Sequence, residues 1–143
     1  MTDARQADRS VVILADDLIW ATRLSDAITA AGARPRPVRR LADLERLLAP
    51  SVERAESADP GSGAGGGSVD AAGFAIVDLT ARAYDGIEAI RVATGTGASV
   101  VAVGQHDDAA LRRAAIAAGA ERVFTYRALF EDGPRALAAW LAR

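Results

Sequence analysis

Five times along this chain a short apolar or edge-type run gives way to a longer Ala/Leu-rich run, and that alternation leaves few folds open. "SVVILA" (10–15), "FAIVD" (74–78) and "SVVAV" (99–103) are continuous apolar runs of strand length, the pattern of strands covered on both faces. Leu18, Ala21, Leu24, Ile28 and Ala31 recur at helical spacing within 16–32, and Gly32 stands where a helix stops. "RPRPV" (34–38) is a poor strand, because its prolines lack backbone donors, and it belongs near a sheet edge. A short amphipathic helix is predicted at 41–49, further helices at 85–94 and 107–120, a fifth strand at 122–126, and a last helix at 132–143 with Pro134 in its first turn. Parallel neighbours can be joined only by a crossover, so this order predicts a doubly wound α/β sandwich, a parallel sheet with helices on both faces.

A length of 143 residues suits one domain with a sizeable core, spanning 1–143. The segment 50–73, with its glycine cluster at 61–67, has almost no apolar periodicity and reads as a flexible Gly-rich insertion. A phosphate-cradling loop would need a strand before it, a helix N-terminus after it and, for nucleoside triphosphates, a lysine; the segment lacks that setting.

What is missing narrows the chemistry further. There is no cysteine and only one histidine, His106, which excludes disulfides, thiolate zinc sites and histidine metal clusters. All 17 basic residues are arginine. A net charge of −2 gives no general attraction to nucleic acid or acidic lipid, and no apolar run approaches the ~20 residues of a membrane helix. The expectation is a cytoplasmic protein that binds neither nucleic acid nor membrane directly.

Asp78 ends an apolar strand, where a carboxylate carries a desolvation cost that packing does not require. Asp16 and Asp17 follow the first strand. In an open parallel sheet the carboxyl ends of the strands border the functional crevice. If strands one and three are neighbours, three carboxylates meet on one rim, and a hard cation such as Mg²⁺ is the natural relief for their repulsion.

These pieces together resemble the receiver domain of bacterial response regulators. The matching residues are the acidic pair in "LADDL", the aspartate ending strand three, the Asp85-Gly86 pair with a glutamate beyond it in "DLTARAYDGIE", and the Ala/Gly turn in "AAIAAGAERVF" (114–124). The resemblance implies a flavodoxin-like three-layer sandwich with strand order 2-1-3-4-5 and a role in two-component signal transduction or a phosphorelay, not an enzyme. It implies that Asp78 is the phosphoacceptor. It also implies that Asp17 binds Mg²⁺ with Asp78 and the backbone carbonyl of Thr80, while Asp16 acts mainly through water. Expected partners are a histidine kinase, a phosphotransfer protein or an output protein, with a homodimer through the helix-four to helix-five face.

The departures point to an atypical, stand-alone receiver with a degenerate switch. Gly104 stands where the family has a hydroxyl residue at the end of strand four, and no lysine exists to follow strand five. Counting without a gap from Gly119-Ala120 puts Tyr126 at the lysine position and Val123 at that of the switch aromatic. One inserted residue puts Arg127 and Phe124 there instead, and a planar guanidinium is an imperfect substitute for a compact ammonium.

Other readings compete. A small-ligand or nucleotide-binding module on the same architecture would want a Ser/Thr/Gly loop after strand one, where this chain has two acids. An aspartyl-intermediate phosphatase would want an acid where Thr80 stands. Taken singly, Asp16 or Asp17 could cap the first helix, Asp85 could cap a later one, and the arginines of 33–40 could be a solvated edge. Leu137, Trp140 and Leu141 on the last helix pack against the sheet or offer a partner surface.

Overall fold

The computed structural model describes residues 9–48, 73–105 and 108–142. Its elements are β1 (Ser10–Leu14), α1 (Leu18–Ala30), β2 (Arg34–Val38), α2 (Leu41–Leu48), β3 (Phe74–Asp78), α3 (Gly86–Gly95), β4 (Ser99–Gly104), α4 (Ala109–Ala118), β5 (Arg122–Thr125) and α5 (Tyr126–Leu141). The strands form one parallel sheet in the order β2-β1-β3-β4-β5, as expected. The insertion expected at 50–73 lies outside the described residues except for Gly73, as do His106 and Asp107.

Alternation along each strand sorts the core into two layers. Val11, Ile13, Ile76, Val101 and Val103 face α1 and α5, where Leu24, Ile28, Leu137 and Leu141 close over them. Val12, Leu14, Ala75, Val77, Val100 and Ala102 face α2, α3 and α4 through Leu44, Ala89, Ile90 and Ala115. The same alternation gives Asp78 the parity of Ile76, which directs it to the α1/α5 side.

The edge position of β2 has a simple cause. Arg34 donates its N–H inward to the carbonyl of Arg9, so alternation turns the nitrogens of Pro35 and Pro37 outward, where neither has a hydrogen. The free edge therefore offers no donors at those positions to an incoming strand.

Three helix starts are capped by aspartates. Asp17, Asp85 and Asp108 accept from backbone N–H groups in the first turns of α1, α3 and α4. Gly119 ends α4 at φ +124°, and a Cβ there would lie 2.6 Å from Thr94 Cγ2.

The last helix departs from its expected start. Strand β5 stops at Thr125, whose side chain accepts the N–H of Ala128, so the helix begins at Tyr126 instead of near 132. A break at Asp132 (φ −147°, ψ 27°) separates this added turn from the segment containing Pro134. The partner surface proposed for Leu137, Trp140 and Leu141 is also corrected. All three are buried in the sheet layer, and the Trp140 indole N–H donates to Ser99 Oγ at 2.9 Å. Among the described residues the exposed large apolar ones are Leu18, Ile19, Ile116 and Phe130.

Candidate functional site

Strand order reverses between β1 and β3, since β1 leads to β2 on one side and β3 begins the other half. The carboxyl ends of those two strands thus border the crevice of a doubly wound sheet. Asp16, Asp17, Trp20, Thr80, Arg82, Gln105 and Tyr126 line a depression there. Asp78, only 1% exposed, lies behind the lining residues Thr80 and Tyr126, to which it is hydrogen-bonded.

One oxygen of Asp78 is crowded and the other is bare. Oδ1 accepts from Thr80 N–H at 2.9 Å, from Thr80 Oγ1 at 2.8 Å, and from the hydroxyl of Tyr126. The Thr80 and Tyr126 hydroxyls also meet each other. Oδ2 is buried without a hydrogen-bond partner, a costly state for a carboxylate oxygen. Burial raises the Tyr126 pKa above its ordinary value, and the hydrogen bond to Asp78 adds to the rise. The Trp20 ring lies over Tyr126 with centroids 3.9 Å apart and planes tilted by 33°. Helix α1 and the added first turn of α5 therefore roof the acid.

Asp16 and Asp17 reach the same rim but are engaged with the backbone. Asp16 Oδ2 accepts from the N–H groups of Arg82 and Ala83 at 2.9 and 3.0 Å, tying the end of β1 to the β3–α3 loop. Asp17 Oδ1 accepts from Ile19 and Trp20 at 2.8 and 3.1 Å, the capping role weighed for it. Beneath them Tyr84 shares its hydroxyl hydrogen between the carbonyls of Leu14 (2.8 Å) and Asp78 (2.7 Å). That clamp bridges β1 and β3 where the strands part, and sequence reasoning missed it. Burial first, then the charges of Asp78 and Asp16, push the Tyr84 pKa well up.

No family model matches the sequence, and no curated protein matches it. Solved structures do. The receiver domain of TorR, a response regulator of the TMAO respiratory system, superposes with a TM-score of 0.69 at 16% identity over 95% of this chain and 98% of that one. The signal receiver domain of a DNA-binding response regulator from Colwellia psychrerythraea gives 0.67 at 17% identity over 95% and 100%. A response regulator from Burkholderia pseudomallei, solved with a phosphorylated aspartic acid, a calcium ion and citrate, gives 0.66 at 16% identity over 94% and 69%.

The chain has the receiver-domain fold. Within that fold the residues that follow the acceptor strands can be placed. Tyr126 reaches Asp78, whereas the Arg127 side chain is 85% exposed and pairs with Glu131 at 3.1 Å. Phe124 is packed in the α1/α5 layer, and Val123 is half-buried against the opposite one. Gly104 ends β4, and a Cβ there would make ordinary contacts with Leu79 at 3.5 and 3.7 Å, so space alone does not demand a glycine. Gly86 differs: a Cβ would lie 3.2 Å from the Leu79 Cα, so the start of α3 sits against the β3 exit.

Asp16, Asp17 and Asp78 share a rim without forming a three-acid metal cage. Among the described residues no three acids form a group able to hold a metal ion. The reason is local: Asp16 and Asp17 each direct an oxygen at backbone N–H groups, and the crowded oxygen of Asp78 faces hydroxyl and amide donors. Among the described residues no helix is long and apolar enough to cross a membrane.

Proposed function

We propose that the chain is a signalling receiver module that acts through protein contacts, with Asp78 as its candidate phosphoacceptor and a phosphorylation switch that is closed or degenerate. The observation that carries this is the phenol of Tyr126 bonded to Asp78. A carboxylate takes a phosphoryl group only if one of its oxygens can line up with phosphorus and a cation offsets the charges. Here Oδ1 accepts three donors, Oδ2 is buried, and the nearest basic group after β5, Arg127, points to solvent. A neutral phenol donates a hydrogen bond but supplies no positive charge.

The neighbouring solved structures support a receiver-type role. The Burkholderia pseudomallei response regulator, similar in fold, was solved with a phosphorylated aspartic acid and a calcium ion. A histidine kinase, a phosphotransfer protein or an output protein is the partner class that follows, with the α4 to α5 face as the contact for a second copy. An enzymatic role is not part of this reading.

Incubation with acetyl phosphate or beryllofluoride and Mg²⁺, followed by intact mass and nitrogen–proton correlation spectra, tests it. The expected result is little or no adduct at Asp78. Stoichiometric modification with large shifts across α4, β5 and α5 overturns the closed-switch reading.

A further inference from the structure

Tyr126 does not lie over Asp78 unaided. Trp20 stacks on it from α1. One helical turn further along α1, the guanidinium of Arg23 sits 5.4 Å from the Trp20 ring and 5.4 Å from the ring of Phe130. Phe130 is itself four residues after Tyr126 on α5, so the two aromatic rings share a helix face. The result is a ladder that runs from Phe130 of α5 through Arg23 and Trp20 of α1 to Tyr126 of α5, and ends on Asp78 of β3. Its inner end is a buried acid, and its outer end, Phe130, is 73% exposed. An aromatic that exposed has little to contribute to the core, but a planar cation between two rings is a specific and favourable arrangement.

We propose that Tyr126 is a lid over Asp78 and that the stack of Phe130, Arg23 and Trp20 latches it shut from the surface. The latch works through population: Asp78 becomes reachable only in the minor state in which Tyr126 has swung out, and each latch contact lowers that population. Loosening the outer end exposes the acid without touching it. The proposal deepens the reading of Asp78 as the reactive group of the site, on which its signalling meaning rests. Its test uses chemical access to the carboxylate and therefore fails or succeeds independently of phosphorylation.

The experiment is carbodiimide-driven amidation with glycine ethyl ester on the full chain, mapped by peptide mass spectrometry, with the exposed Glu88 as the internal reference. In the wild type Asp78 should label far more slowly than Glu88. Phe130→Ala should raise Asp78 labelling about three-fold, the factor expected for losing one exposed cation–aromatic contact, and Arg23→Gln, which loses the contacts to both Trp20 and Phe130, should raise it more. The double variant should label faster than wild type by less than the product of the two single effects, because both changes remove the Arg23–Phe130 contact. Circular dichroism and the thermal midpoint verify folding, which truncation of so exposed a ring should leave intact. Wild-type labelling of Asp78 as fast as that of Glu88 overturns the lid. Wild-type rates at Asp78 in both latch variants, alongside a marked rise in Trp20→Ala, overturn the latch.

Discussion

The hydroxyl of Tyr126 donates to the carboxylate of Asp78 across 48 positions of sequence, and through that bond the first turn of α5 closes over the end of β3. Asp78 is the described chain's one buried charged residue, and half of its carboxylate has no partner. Such a group is held in place against its own desolvation.

Asp78→Asn should therefore stabilise the protein by about 1 kcal/mol, because the amide oxygen still accepts from Thr80 and Tyr126 while the buried charge disappears. Urea unfolding measures this. A loss of stability would mean that the bare oxygen is satisfied in solution.

Both tyrosines of the chain are held protonated beyond their usual range. A group whose folded pKa is raised contributes stability that is fully present below its unfolded pKa, about 10 for tyrosine, and is lost as pH rises toward the folded value. Stability should accordingly be flat from neutral pH to about pH 9 with respect to these groups and fall above about pH 10. Tyrosinate absorbance in a pH titration should appear together with the loss of the circular dichroism signal. A separate tyrosinate step near pH 10 in the folded protein would contradict it.

Reversing the two departures from the receiver pattern should open the switch. Gly104→Ser fits the space beside Leu79, and Tyr126→Lys replaces the phenol with an ammonium over Asp78. The double variant is expected to take up beryllofluoride that the wild type refuses, and Gly104→Ser alone is not, because Tyr126 still covers the acid. Fluorine resonance spectra of the bound complex distinguish the two results.

Gly119→Ala should cost about 2 kcal/mol, since the residue must keep a positive φ and its new methyl meets Thr94. Chemical denaturation reads the loss directly.

Trp140 and Phe130, both on α5, should behave oppositely. Trp140→Ala is expected to cost about 3 kcal/mol, since it opens a cavity beside Phe74 and removes the indole donor to Ser99. Phe130→Ala should change stability by no more than about 0.5 kcal/mol. Thermal and urea unfolding of both variants compare them.

The period of the apolar residues was enough to read the layers, because a run such as "FAIVD" can bury both faces only inside a parallel sheet covered by helices. The prolines of β2 announced an edge for an equally local reason: each removes a donor. The acids at 16, 17 and 78 could likewise be assigned to one rim, because strand ends and crossovers fix where the crevice lies. Local rules offered a helix cap for Asp16 or Asp17 but could not choose between them, nor find the partners of the other. Asp17 turned to its own helix, Asp16 to a loop 66 positions away, and Tyr84 to two carbonyls at once.

The helical turn begun by Thr125 was hidden because "RVFTY" has strand composition throughout, whereas the cap from Thr125 to Ala128 and the stacking of Tyr126 on Trp20 of α1 end the strand one residue early. That single residue decides whether Tyr126 or Arg127 faces Asp78. Sequence by itself determined the sheet, its two faces and the location of the crevice, because these follow from short-range periodicity and from chain connectivity. Tertiary structure alone decided that the crevice is roofed, because the roof is built from side chains of two helices distant in sequence, and their meeting depends on how both helices seat on one sheet face.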